Sequence, residues 1–150
     1  MAKFIYRMQN VLNIKERLET QAKTEYAQMM SRLSYEEQVM REIISRLRAY
    51  ENTAKELSQG KLDIVSMRRC ADSIKVTKDQ INQQAIRVRI AEKNVAIAQK
   101  KLNEAMQERK IHDKLKEQAF EEFKADLAAQ EMKEIDEVVS FNYNDRETGE

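Results

Sequence analysis

The sequence predicts an all-α protein: an antiparallel two-helix coiled-coil hairpin with a longer second helix. Three observations carry that expectation. Charged residues make up 35% of the chain and aromatics 6%, with two glycines and neither proline nor tryptophan, the composition of long helices rich in Ala, Glu, Lys, Leu and Arg. Apolar residues recur at three- and four-residue steps for most of the length, which is helical periodicity. One break, Ser58-Gln59-Gly60, interrupts the middle. A sheet protein would need turn residues roughly every ten positions.

The spacing predicts a first helix over 3–58. Phe4, Met8, Val11, Leu18 and Ala22 open its seam, and Met29, Leu33, Met40, Ile43, Leu47, Tyr50, Ala54 and Leu57 continue it, with Lys15 and Glu36 falling in line. Read this way the phase shifts near Glu25 and Tyr26, as a locally unwound coiled coil would. Glu19→Lys23, Glu37→Arg41, Glu42→Arg46 and Glu51→Lys55 are favourable pairs one turn apart on the outer face. The turn is assigned to 59–62, with Gly60 suited to the left-handed position after a helix and Asp63 or Ser66 suited to cap the next one.

The second helix is expected over 63–140. Ile74, Ile81, Val88, Val95 and Leu102 fall seven apart, with Ala91, Ala98 and Ala105 beside them, small enough for close helix approach. The seam turns polar at Arg109 and Lys116 and recovers at Phe120, Phe123 and Leu127. That polarity predicts that the terminal halves of the pair fray first. Residues 141–150 read as a flexible tail, and 1–150 as a single elongated domain. Folding at Gly60 sets Phe4 near residue 116, so about 20–25 residues of the second helix overhang. The apolar face of that overhang lacks an intrachain partner in this reading.

The formal net charge of +1 hides an asymmetry: residues 61–116 carry 14 basic and 7 acidic side chains, and residues 117–150 carry 3 and 11. The basic stretch Arg87, Arg89, Lys93, Lys100 and Lys101 is spread around the helix without stacking aromatics, so it reads as a solvated face and not as a nucleic-acid site. No glycine-rich phosphate loop is present, and two helices make no pocket, so no small-molecule ligand, cofactor or catalytic residue is expected. One cysteine, Cys70, and one histidine, His112, do not complete a zinc site. Cys70 reads as a packing residue and His112 as a partly exposed helix residue. Lys3 and Arg7 interrupt the short apolar start, and no apolar stretch approaches the roughly 20 residues that span a bilayer; a cytoplasmic chain is expected. Ile86, Ile90, Ile97, Ile111 and Leu115, with Tyr26, Met30 and Ile44, cannot all face the seam. The first five form a possible docking face.

The opening Phe4-x-Tyr6-Arg7-Met8-Gln9-x-Val11-Leu12-x-Ile14-Lys15-x-Arg17 resembles the start of the FliJ family, the soluble coiled-coil proteins of bacterial flagellar export. The run Ala105-x-x-Glu108-Arg109-Lys110-x-x-x-Lys114-Leu115-Lys116-Glu117 and the close Glu131-x-Lys133-Glu134-x-Asp136-Glu137 are similar too. The resemblance covers nearly all of residues 3–138. It implies a stalk protein that is not an enzyme, located at the cytoplasmic face of the inner membrane at the flagellar base. Its implied partners are the flagellar export ATPase hexamer, whose ring assembly it promotes, the export-gate membrane protein and the export chaperones. Matching positions for the ATPase ring are Phe4, Arg7, Val11 and Arg17 at one terminus, and Glu131, Lys133, Glu134, Asp136 and Glu137 at the other. The rival expectations are the equivalent stalk of a virulence type III secretion system and a purely structural coiled coil that oligomerises through its aliphatic face.

Overall fold

A computed structural model describes residues 2–149. They form two helices, α1 over Gln9–Leu57 (49 residues) and α2 over Ile64–Thr148 (85 residues), and among the described residues there is no strand. The antiparallel hairpin with a longer second helix is what the sequence predicts. The chain divides into two compact units: a terminal unit, made of the residues up to Glu19 with Ala105 onward, and a turn unit, Thr20–Glu104.

The turn unit owes its geometry to its loop. Residues 58–63 leave helical conformation, and Gly60 sits at φ 153°, positive-φ backbone that disfavours any residue with a Cβ. The expected left-handed cap directly after the helix is therefore replaced by a wider turn, in which Ser58 Oγ donates to Lys55 O at 2.7 Å. Asp63, and not Ser66, is the N-cap of α2: its Oδ1 accepts from the Val65 and Ser66 amides at 3.1 and 3.4 Å. Ser66 Oγ donates to the other carboxylate oxygen at 2.7 Å, and these bonds, the hydroxyl's first, hold the Asp63 carboxyl below its ordinary range.

Within α1 the covered positions include Leu12, Lys15, Glu19, Ala22, Tyr26, Met29, Leu33, Glu36, Met40, Ile43 and Leu47, a run three and four residues apart without interruption. The expected phase shift near Glu25 is absent. It arose from placing Met8 and Leu18 in the seam, whereas Met8 is 45% and Leu18 44% exposed and Glu19 is buried in their stead. The covered edge of α2 includes Cys70, Thr77, Gln84, Ala91 and Ala98, all buried and seven apart.

Each buried polar group of the turn unit has a local reason to be there. Thr77 Oγ1 donates to Ser73 O at 2.7 Å. Gln84 Nε2 donates to the Glu36 carbonyl at 2.9 Å and to Glu36 Oε2 at 2.5 Å, across the seam. Cys70 packs as expected, its Sγ donating to Tyr50 O at 3.2 Å.

The terminal unit departs from expectation at both ends. Helix does not begin at residue 3: residues 2–6 are non-helical, a turn at Arg7 and Met8 follows, and the Gln9 amide donates back to Tyr6 O at 3.2 Å. The physical reason is an aromatic cluster. The Phe4 ring packs edge-on to Phe120, centroids 5.1 Å apart, and against Phe123 at 5.5 Å, which a helix running back to residue 3 would forgo. The first part of the expected overhang thus has an intrachain partner. At the other end α2 continues through residues 141–148, where a tail was expected.

Candidate functional site

The chain's recognition groups lie on helix surfaces. In the terminal unit Leu12 is the fully buried anchor at 2% exposure. Its neighbours in the seam are charged. Glu19 is 6% exposed and its carboxylate pairs with Arg109 Nε, while Arg109 Nη1 reaches Asp113 Oδ2 at 2.6 Å. The guanidinium is held above its ordinary value, first by Asp113 and then by Glu19. Lys15 Nζ donates to Glu108 Oε2 at 2.7 Å, and that bond holds the Glu108 carboxyl below the usual range. Positions that looked like faults in an apolar seam are a cross-helix charge network. His112 belongs to this seam and is half-buried, in keeping with the partly exposed helix residue expected, with its Nδ1 buried and without a hydrogen-bond partner.

Of the positions implied for ring contact, Phe4 is committed to Phe120 and Phe123, and Val11 is half-covered beside Leu12. Arg7 and Arg17 are exposed. Glu131, Lys133, Glu134, Asp136 and Glu137 are all exposed, on a stretch of α2 where every described residue from 128 onward is exposed. One unit therefore holds both groups of residues. Glu131 follows Phe123 by eight residues, about 12 Å along the helix.

The five aliphatics expected to form a docking face are all exposed but divide between the units. Ile111 and Leu115 belong to the terminal unit at 59% and 43% exposure. Each directly precedes a seam residue, His112 and Lys116, as Ile14 and Leu18 precede Lys15 and Glu19. In an antiparallel pair such residues lie on the same side of both helices, so these four form one apolar flank. Ile14 and Leu18 were missed because the sequence reading put Leu18 inside the seam.

In the turn unit Ile86, Ile90 and Ile97 are exposed. Ile90 borders a shallow depression over the small Ala91 side chain, with Arg32, Glu36, Arg87 and Asn94 around it. Arg32 Nη2 reaches Glu36 Oε1 there at 2.8 Å. Tyr26 lies in the seam, Ile44 is half-buried and Met30 is exposed.

Among the described residues no three His, Cys, Asp or Glu side chains group as metal ligands, and no helix is long and apolar enough to cross a membrane. The surfaces offer recognition by apolar contact and charge.

The family model described as "Flagellar FliJ protein" matches residues 4–148. Comparisons with curated proteins and with solved structures find no match.

Proposed function

Because the chain belongs to the FliJ family of flagellar proteins, we propose that it is the stalk of the flagellar export apparatus. It binds the hexameric export ATPase through its terminal unit, promotes ring assembly, and links the ring to the export-gate membrane protein and to export chaperones. It does so without chemistry of its own, at the cytoplasmic face of the inner membrane. The observation that carries the reading is the family match along residues 4–148. Two physical features support it. The exposed end of α2 is acidic, and charge on such a surface sets orientation and encounter rate more than raw affinity. The exposed aliphatics of the turn unit, Ile86, Ile90 and Ile97, supply a separate surface for the gate or chaperones, as apolar patches on helices commonly do.

The test is ATP hydrolysis by the export ATPase of the same organism, titrated with this protein. Expected is a saturable rise in turnover, accompanied by larger ATPase assemblies and lost when residues 130–150 are deleted. No change in turnover at any ratio, together with no co-elution, refutes the assignment.

A further inference from the structure

The last part of α2 carries more than acidic charge. Met132, Ile135, Val139 and Tyr143 are 62%, 56%, 60% and 64% exposed. At 100° per residue they fall within an arc of roughly 80°, with Ala128 inside the same arc one turn earlier. This is an amphipathic edge on a helix with no neighbour: every described residue from 128 onward is exposed. Glu131 and Asp145 flank the stripe on one side, and Asp136 and Glu147 on the other. Residues 128–149 hold six acidic side chains against two basic ones: Lys133 lies beyond Glu147, roughly 120° round from the centre of the stripe, and Arg146 falls within the arc itself, two turns past Val139.

We propose that this stripe is the docking edge of the terminal unit, and that it seats in a groove of another protein with an apolar floor and lysine or arginine along both rims. The inference rests on the reading that the terminal unit meets the export ATPase, and it moves the main contact from the acidic side chains to the apolar ones between them. Charge selects the occupant. A second copy of this chain would bring two acid-flanked edges together, and like charges facing across a helix pair oppose association. An anionic membrane surface is disfavoured for the same reason. A basic-rimmed groove satisfies both flanks while removing four large side chains from water, the pattern of helix-in-groove recognition.

The experiment uses the full chain and the purified export ATPase of the same organism, with binding followed by biolayer interferometry at several salt concentrations. The double substitution Ile135→Gln with Val139→Gln replaces two β-branched residues by a better helix former, so helicity by circular dichroism stays level. Affinity is expected to fall by roughly a hundredfold, as the loss of two buried aliphatics implies. Glu131→Gln with Asp136→Asn is expected to slow association and flatten its salt dependence, with a smaller effect on dissociation. If the wild type binds and the Ile135→Gln/Val139→Gln protein binds equally well, this inference is overturned while the ATPase reading stands. If the wild type does not bind at all, both fall together. A wild-type mass near twice 17.7 kDa by light scattering, halved in the apolar variant, overturns the inference in favour of a second copy.

Discussion

Replacing Gln84 by leucine should destabilise the hairpin, and replacing its partner as well should restore it. Gln84 is 3% exposed and Glu36 4% exposed, and one amide nitrogen joins them by two hydrogen bonds. Gln84→Leu removes both and leaves a buried carboxylate whose remaining partner is the largely exposed Arg32; a buried group stripped of its partner costs about 1–3 kcal/mol. Glu36→Leu is milder, about 0.5–1.5 kcal/mol, because the Gln84 amide keeps the Glu36 backbone carbonyl. The double variant replaces a polar pair by two apolar side chains in a heptad seam, so it is expected near wild type or above it. Thermal unfolding followed at 222 nm measures all four proteins, and the singles should melt about 1–12 °C lower, at 2–4 °C per kcal/mol for a chain of this size. A double variant as unstable as the sum of the singles would show that the pair does not act as a unit, and would refute the reasoning.

Phe4→Ala should free the non-helical start without unfolding the turn unit: proteolysis within residues 2–8 becomes faster while amide exchange in 20–104 stays unchanged, and slow cleavage in the variant counts against the aromatic anchor. Gly60→Ala places a Cβ on positive-φ backbone with open space around it, so the cost is conformational and of about 1–2 kcal/mol, read as a lower melting temperature. The folded-state value of the Glu108 carboxyl is lowered by Lys15, so the pair's contribution is present above the ordinary carboxylate range and disappears as pH falls through that lowered value. The gap in melting temperature between wild type and Lys15→Met should accordingly narrow as the pH is lowered, and a gap that does not change with falling pH contradicts the assignment.

The helices and the turn were readable because composition and periodicity are local, and a glycine between two heptad runs has few structural uses. The seam of the first two heptads was not. Hydrophobicity alone favours Leu18 over Glu19, and the ion pair with Arg109, ninety residues away, helps to make burial of Glu19 tolerable. Phe4 misled for a related reason: its spacing to Met8 and Val11 is helical, but the contact that wins is with rings of the other helix. The helical end of α2 was set too early because Phe141-Asn142-Tyr143-Asn144 is a poor helix-forming run, although Ile135, Val139 and Tyr143 already kept helical step. The family resemblance implies Phe4, Arg7, Val11 and Arg17 at one terminus and only charged residues at the other, Glu131 to Glu137, as contact positions. The apolar stripe between them became apparent once the structure left it uncovered.

The arrangement of Cys70 gives the molecule a chemical clock. It is the chain's one thiol, buried at the seam with its hydrogen directed at the Tyr50 carbonyl. A thiol reagent therefore modifies this protein under native conditions at a rate set by how often α1 and α2 part near the turn. That rate, followed with and without a binding partner, reports whether engagement tightens or loosens the turn unit, with no label to introduce and no other cysteine to confuse the signal.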